Sequence, residues 1–402
     1  MSPTNPAFTL TSMSDSAKSA AADPPPPPQS RGPRRAWLFR LASAGMAFGF
    51  ALVALGGVEA FLRKREASIR QSDRLDAGLI RHDPLLGWAL APRSEGRHAH
   101  HDYQALYHID ETGFRAGGWS PAAARAGKLH AFVGDSFTFG LGVNDSQTFT
   151  SLLNHQRATN AAFINCGIPG FSTDQEALMI ERDVLPLKPD QVWVVVCLVN
   201  DLVDNLHPYP MQANRQKPHF ELVGEELLLR NTPVPIDPVD PRARRSDLLG
   251  EILGADFSRQ SWRRIAEGRY VIFRALSENL LPPPDVSGAL DNRNRKSLDL
   301  FFALMARSIR AVESQGARFG LILMPGRSLI EKPASISGQY QRYLEANLLT
   351  WAKARRLPAI NLVAALSNAR GAGASPLFFP HDGHLTPLGH EEVARALAAE
   401  IP

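Results

Sequence analysis

Short apolar runs alternate with amphipathic segments along most of this 402-residue chain. The apolar runs are nearly continuous, which is typical of strands that are buried on both faces of a parallel sheet. Between them, apolar positions recur with the spacing of one helix face. The predicted strands are residues 129–133, 162–165, 192–198, 318–324 and 359–362, and the predicted helices are residues 148–155, 174–184, 296–315, 338–355 and 391–401.

This alternation predicts an α/β fold of three layers (α/β/α), in which helices cover both faces of a five-stranded parallel sheet. A hydrophobic content of 44% in a chain of 402 residues is enough for one large domain with a full core. We expect residues 126–402 to form that domain. Residues 63–125 would form a leading segment between the domain and the N-terminal region.

Residues 202–295 interrupt the alternation and are too many for a simple crossover in a compact domain. We expect this insertion to form a cap. Within it, residues 219–223 and 226–229 flank Gly224 and Glu225 in the manner of a hairpin, and a helix is expected around residues 259–281. Its apolar side chains, which include Tyr270 and Leu276, are expected to serve packing, although a cap over a site commonly carries substrate specificity.

The N-terminal region has a different pattern. Residues 1–35 are rich in Ser, Ala and Pro and lack hydrophobic periodicity, which predicts disorder. Residues 41–58 carry no charge and the apolar stretch continues to Leu62, so residues 36–62 are long enough to span a bilayer. A buried helix is the alternative, but the basic cluster Arg63-Lys64-Arg65 that follows favours a transmembrane helix.

Basic residues flank both ends of this stretch, so the positive-inside rule does not fix its orientation. We expect an uncleaved signal anchor of a single-pass membrane protein, with the tail inside and the catalytic domain in the periplasm or outside the cell. Cleavage after Ala60 is the alternative. The first 76 residues hold ten Lys/Arg and six Asp/Glu, a balance of +4 that equals the net charge of the whole chain. The remainder is neutral, which disfavours nucleic acid as a partner and leaves anionic lipid headgroups.

Candidate chemistry begins at Ser136, in the segment Gly-Asp-Ser-Phe directly after the first predicted strand. A parallel strand brings its last residues to the carboxyl edge of the sheet, where the N–H groups and the positive end of the next helix favour developing negative charge. A serine at this turn can act as a nucleophile. The same residues also suit a turn followed by a helix N-cap, so the assignment requires catalytic partners.

An acid and two imidazoles lie close together near the other end of the chain, in the segment Pro-His-Asp-Gly-His at residues 380–384. Acyl transfer by serine needs a neutral imidazole to take the hydroxyl proton and a carboxylate to orient that imidazole. Asp382 and His384 fit these roles, and His381 and His390 are competing imidazoles. An α/β-hydrolase elbow would need glycine where this chain has Thr138, which disfavours that class.

Two further polar segments follow predicted strands, at residues 165–172 and 199–201. With these four blocks in this order, residues 80–402 resemble the SGNH (GDSL-type) hydrolase superfamily, as a bacterial membrane-anchored member. The resemblance implies a flavodoxin-like fold with strand order 2-1-3-4-5. It also implies that Ser136, His384 and Asp382 are catalytic, and that an oxyanion hole is formed by the backbone N–H groups of Ser136 and Gly170 and the side-chain amide of Asn200. No metal and no cofactor are expected.

Two positions depart from the family pattern. Leu198 stands where the asparagine block commonly has glycine, and the last block is Asp-x-His instead of the commoner Asp-x-x-His. Elsewhere, His98, His100 and His101 are expected to form a solvated polar loop rather than a metal site.

Together these expectations describe a membrane-anchored serine esterase that works through an acyl-enzyme at the cell envelope. Its substrate would be an ester-bearing small molecule, a lipid or an acylated carbohydrate. One alternative is an envelope polysaccharide O-acyltransferase, although the order of the blocks is reversed in the alginate acetyltransferase branch. A second alternative is a non-catalytic carbohydrate-binding or scaffold protein. The sequence leaves the oligomeric state open.

Overall fold

The computed structural model describes residues 33–119, 127–156, 161–211, 213–239, 248–253, 266–267, 269–371 and 375–401. Most of the predicted tail at residues 1–35 and the first part of the predicted helix at residues 259–281 lie outside these ranges.

Five strands precede those of the central sheet, and the hairpin of the insertion comes between the third and fourth strands of that sheet. In chain order they are β1 (Arg74–Leu75), β2 (Ile80–Asp83), β3 (Gly87–Leu90), β4 (Glu95–His100), β5 (Tyr103–His108), β6 (Lys128–Gly134), β7 (Ala161–Gly167), β8 (Gln191–Cys197), β9 (His219–Val223), β10 (Glu226–Arg230), β11 (Arg318–Met324) and β12 (Ala359–Asn361).

The helices range from one turn to the long N-terminal helix. They are α1 (Pro33–Ser72), α2 (Ser136–Phe139), α3 (Phe149–Gln156), α4 (Thr173–Met179), α5 (Asp201–Asp204), α6 (Leu248–Leu253), α7 (Val271–Leu280), α8 (Ser287–Ser314), α9 (Arg327–Glu331), α10 (Ile336–Ala354), α11 (Leu362–Gly371) and α12 (Pro387–Glu400).

The central sheet has five parallel strands in the spatial order β12-β11-β8-β6-β7. Numbered along the chain within this sheet, the order is 2-1-3-4-5, and the predicted α/β fold is confirmed. The strands are almost wholly buried because their side chains, mostly Val, Ile, Leu and Phe, pack under helices. Parallel strands end at one common edge, so the turns after β6, β7 and β8 lie side by side.

Helix α1 is long and apolar enough to cross a membrane, by length and composition. It continues past Leu62, the end of the predicted span, for about another three turns to Ser72. Those turns are the first part of the leading segment. Residues Val58–Pro402 form one compact unit.

The leading segment forms a small antiparallel sheet, β1-β4-β5, and a hairpin, β2-β3. The expectation of a solvated histidine loop was wrong for His98, which lies in β4 and is buried. Its ring bonds the Tyr107 hydroxyl at 2.9 Å and the Asp73 carboxylate at 2.7 Å. The sequence of β4 is mostly polar, but alternate residues of a strand point to opposite faces, and His98 lies on the inward face.

The hairpin predicted in the insertion is present as β9-β10. Helix α8 begins at Ser287, nine residues before the predicted start and inside the predicted insertion. The first turns of α8 are polar in sequence, but one face of them is buried. The buried Asn294 side chain lies on that face and donates to the carbonyls of Ile252 and Leu290. Tyr270 and Leu276 are 47% and 50% exposed, so the expectation that they pack inside the protein was wrong.

A buried ion pair fixes the beginning of the insertion to the central domain. Lys217 bonds Asp174 at the start of α4, and both side chains are fully buried. A buried charge is tolerated only when it is paired, so this contact holds the insertion in one position beside α4.

Candidate active site

Ser136 lies at the first residue of α2, directly beyond β6, and is nearly buried. The Asp135 carboxylate accepts the Phe137 N–H at 2.9 Å and caps this short helix. The turn requires a glycine before it, because a Cβ on Gly134 would lie 2.2 Å from the Thr138 hydroxyl oxygen. The local sequence thus fixes the direction of the serine at the carboxyl edge of the sheet.

Ser136, His384 and Asp382 form a continuous hydrogen-bonded chain. His384 Nε2 is 2.7 Å from Ser136 Oγ, and His384 Nδ1 is 2.5 Å from Asp382 Oδ1. The same carboxylate oxygen accepts the backbone N–H of His384 at 3.1 Å. Gly383 has φ of +90°, a conformation that glycine adopts readily, and this bend lets an acid contact an imidazole only two residues later.

The charges of this pair favour an ionised acid and a basic imidazole. Burial alone would raise the pKa of Asp382, but the His384 charge and its hydrogen bonds lower that pKa to about 2. Burial alone would lower the pKa of His384, but the Asp382 charge and hydrogen bond outweigh it and hold the pKa above its ordinary value. Such an imidazole can accept a hydroxyl proton and remain stabilised as the cation.

The two competing imidazoles have other partners. His390 lies in α12, where its Nδ1 accepts the Phe149 N–H at 3.3 Å, and burial lowers its pKa to about 3. The His381 ring bonds the Asp102 carboxylate at 2.7 Å.

Gly170 and Asn200 follow β7 and β8, the strands on either side of β6. Gly170 has φ of +81°, and a Cβ there would meet the Trp88 ring at 3.4 Å. Trp88 in turn donates to the Pro169 carbonyl at 3.0 Å. The turn at Gly170 is therefore supported by a tryptophan of the leading segment.

Leu198, at the position where glycine is common in the family, lies directly after β8 and still bonds the neighbouring strand β11. The Leu198 N–H donates to the Met324 carbonyl at 3.0 Å and its side chain is fully buried. Next to it, the Asp201 carboxylate accepts the Cys197 N–H at 2.7 Å. The Asn200 side chain, 6% exposed, donates to Asp204 Oδ2 at 3.1 Å.

The leading segment supplies residues that sequence reasoning missed. The Asp102 carboxylate accepts the backbone N–H groups of His381 and Asp382 at 2.7 and 3.0 Å, and the Tyr103 hydroxyl donates to Asp382 Oδ2 at 3.2 Å. These contacts fix the loop that carries the acid. No local pattern indicated them, because the partners are separated by 279 residues.

Arg115 stabilises the other side of the site. It is fully buried and donates to the carbonyls of Phe139 and Gly140 at 2.7 and 2.6 Å, directly after the serine helix. Its guanidinium also lies 4.5 Å from the centre of the Tyr107 ring. No local pattern indicated these contacts, because Arg115 and the carbonyls that it bonds are 24 and 25 positions apart.

One group of described residues has donor atoms close enough to hold a metal, namely His101, Asp102 and His381, within 4.8 Å of one another. The Asp102 oxygens already accept three N–H groups of the 381–382 loop, and the cationic Arg65 lies 3.5 Å from His381. These contacts make the group a hydrogen-bonded support for the loop.

A cleft of about 640 Å³ lies between the β9-β10 hairpin and α8. Its lining combines Phe220, Leu222 and Leu300 with Lys296, and the proposed catalytic residues are not among the residues that line it.

Comparisons with known proteins identify the family of this chain. A model of the GDSL-like lipase/acylhydrolase family matches residues 132–392. No curated protein is similar enough to match.

A search of the solved structures found matches that are distant in sequence, of which three follow. A member of the lipolytic G-D-S-L family from Veillonella parvula has 12% identity and a TM-score of 0.38, covering 69% of this chain and 98% of its own. An acetyl xylan esterase, AlAXEase, has 12% identity and a TM-score of 0.37, covering 68% and 100%. An alpha/beta hydrolase enzyme from the metagenome of Lake Arreo, Spain, has 14% identity and a TM-score of 0.36, covering 71% and 98%.

Proposed function

Since the chain belongs to the GDSL-like lipase/acylhydrolase family, within the SGNH superfamily, it is an enzyme that acts on esters, and we propose that it is a serine esterase with Ser136 as nucleophile. His384 is the general base and Asp382 orients it. The observation that supports this proposal most directly is the unbroken contact from Asp382 through His384 to Ser136 Oγ, at 2.5 and 2.7 Å.

In the first half of the reaction, Ser136 Oγ attacks the ester carbonyl while its proton passes to His384 Nε2. The carbonyl oxygen becomes an oxyanion, which we expect the N–H groups of Ser136 and Gly170 and the Asn200 amide to bind. Each such donor typically contributes about 3 kcal/mol to the stability of the transition state. The intermediate collapses when the alcohol leaves with the proton from His384, and an acyl-enzyme remains.

In the second half, a water molecule gives a proton to His384 and its oxygen attacks the acyl-enzyme. The same donors hold the second oxyanion, and Ser136 leaves with the proton returned by His384. The Asp382 carboxylate stays ionised throughout, stabilises the imidazolium and keeps Nδ1 as the protonated nitrogen. The products are a carboxylic acid and an alcohol.

The location of the enzyme is part of the same proposal. Residues 36–62 of α1 would anchor it as a single-pass protein at the cell envelope, with residues 126–402 as the catalytic domain, the leading segment 63–125 packed against it, and the insertion 202–295 contributing specificity. An apolar helix of this length supports the anchor.

Labelling with a fluorophosphonate tests the assignment of the nucleophile. Wild type is expected to form a covalent adduct at Ser136, which mass spectrometry of the peptide identifies, while Ser136→Ala remains unlabelled with an unchanged thermal unfolding curve. A folded wild-type protein that is never labelled would contradict the proposal.

Product analysis with and without a carbohydrate acceptor separates an esterase from an O-acyltransferase, because only the transferase requires the acceptor for turnover.

A further inference from the structure

The loop that carries Asp382 and His384 lies beside the part of α1 that follows the apolar stretch. Arg65 Nη2 is 3.5 Å from His381 Nε2, and His381 directly precedes the acid. Arg65 comes three residues after Leu62, which corresponds to ~4.5 Å along a helix axis. The Arg65 side chain therefore joins the loop that carries Asp382 to the turn of α1 that follows the apolar stretch.

Helix α7 of the insertion is attached to the same turns of α1. Glu59 accepts the backbone N–H groups of Val271 and Ile272 at 3.0 and 2.9 Å, and so supplies the N-terminal cap of α7. One turn and two turns later, Arg63 donates to the Arg269 carbonyl and Glu66 pairs with Arg274. Helix α7 thus begins level with the last turn of the apolar stretch.

The surface formed by α7 and its flanking residues is unusually apolar for one in contact with water. Tyr270 is 47% exposed, Leu276 50%, Leu280 73% and Leu281 41%, and Phe61 of α1 is 66% exposed. Large exposed apolar side chains on a soluble protein mark a surface that a membrane or a partner covers when several of them occur together. We call the side chains of Tyr270, Leu276, Leu280 and Leu281 the α7 surface.

Positive charge lies next to this apolar surface. Arg63, Lys64, Arg65 and Arg70 are exposed on the turns of α1 that follow the apolar stretch. An apolar face that enters the acyl boundary, with cations at the level of the headgroups, is the pattern of a helix that lies in a membrane surface. The charge and the position both favour a bilayer over a protein partner.

We propose that the α7 surface lies in the bilayer surface that α1 enters, and that the active site hydrolyses an amphiphilic acyl ester resident in that bilayer. This inference rests on the proposed esterase function and on α1 as the anchor. The ester carbonyl of such a molecule lies near the headgroup level, while its acyl chain stays in the bilayer. The loop beside Arg65 is at the corresponding level, so the scissile bond reaches Ser136 with little displacement from the membrane. Water adds across the ester bond, and the products are a carboxylic acid and an alcohol.

Activity of the full chain in nanodiscs of phosphatidylcholine and phosphatidylglycerol tests the substrate class. Methylumbelliferyl oleate dissolved in the same bilayer is compared with methylumbelliferyl acetate in water. The double variant Leu276→Glu/Leu280→Glu is expected to lose about tenfold in kcat/KM on the oleate ester, because two apolar contacts with the bilayer are replaced by charges. Its activity on the acetate ester should stay at the wild-type level. Ile236→Glu, at a site 80% exposed elsewhere in the insertion, should change neither rate.

Equal activity of the double variant and wild type on the oleate ester would overturn the inference, as would hydrolysis of the acetate ester alone by wild type. If wild type hydrolyses neither ester and is not labelled by the fluorophosphonate, the result would instead contradict the proposed function.

An environment-sensitive fluorophore tests the position of α7 without any activity. Leu280→Cys and Ile236→Cys would each carry the same bimane label, since the native Cys166 and Cys197 are buried. Emission from residue 280 should shift to the blue in nanodiscs, while emission from residue 236 stays that of a label in water. Water-like emission at both positions would show that α7 does not touch the bilayer.

Discussion

Asp204 accepts a hydrogen bond from the side-chain amide of Asn200 at 3.1 Å, and its other carboxylate oxygen accepts the Met211 N–H at 2.9 Å. The contact uses one of the two amide hydrogens of Asn200 and leaves the second for an oxyanion. Burial raises the pKa of Asp204 to about 6. A residue of the insertion thus orients a proposed oxyanion donor of the central domain.

The variant Asp204→Asn tests this orienting role. An asparagine at position 204 has one oxygen in place of two, while both the Asn200 amide and the Met211 N–H need an acceptor. The Asn200 amide therefore loses its fixed direction, and kcat should fall about tenfold with a smaller change in KM. In an Asn200→Ala background the same change should have no further effect on kcat. Additive losses in the two backgrounds would contradict a shared role.

The pH dependence of kcat/KM should report the titration of His384. Its pKa is raised above the ordinary histidine value, chiefly by Asp382 acting against burial. Because only the neutral imidazole accepts the serine proton, activity should fall as the pH decreases through that raised pKa. Asp382→Asn removes the charge and leaves the burial, so the acid limb should move to lower pH while kcat falls about 10⁴-fold. An acid limb that does not move would assign the titration to another group.

Asp102 is expected to act through the position of the catalytic loop. Asp102→Asn weakens the acceptance of two backbone N–H groups and should lower kcat several-fold without a comparable change in KM. The matched control is Gln104→Ala, because the nearby Gln104 side chain is exposed on β5 and its loss should leave both constants unchanged. Equal effects of the two variants would indicate a general disturbance of the loop.

Arg115 should make a large contribution to the free energy of unfolding. Arg115→Met removes the guanidinium donor from buried carbonyls and from the Asp145 carboxylate, which then keeps only its bonds to His108. The cost should be about 4 kcal/mol in urea unfolding. Arg295→Met removes an exposed pair with Asp291 and should leave the unfolding midpoint unchanged. Similar midpoints for both variants would show that the buried arginine is not essential to the fold.

Restoring the family glycine at position 198 should not improve the enzyme. The Leu198 side chain is fully buried and its backbone N–H already bonds the Met324 carbonyl of β11. Leu198→Gly should therefore lower the free energy of unfolding by about 4 kcal/mol through the cavity it leaves. A rise in kcat/KM at unchanged stability would show instead that the leucine obstructs the oxyanion loop.

The sequence predicted the central sheet well because its strands are continuous apolar runs, a pattern that only a two-sided core explains. Ser136 was singled out because it follows the first of these strands, whereas Gly170 and Asn200 were assigned by resemblance, in segments that follow the next two strands. The early start of α8 was missed because Asn294 is a polar residue on a buried face. Exposed Leu276 and buried His98 show the same limitation, since residue type does not reveal which face is covered.

The leading segment was the least predictable contributor to the site. Asp102, Tyr103 and Trp88 act through contacts with residues far along the chain, and sequence spacing carries no trace of such contacts. Arg115 was visible only as part of a resemblance. The assignments of Ser136, His384 and Asp382 remain predictions that the labelling and pH experiments address.

The contact between Ser136 and His384 joins residues that are 248 positions apart. In the proposed mechanism, the nucleophile leaves the ribosome long before its base, so an emerging chain holds an unactivated hydroxyl. A truncated product that ends before residues 380–384 lacks both the proposed base and its acid. The proposed triad is therefore complete only after the loop at residues 380–384 has been made, and a shorter chain does not hydrolyse esters through it.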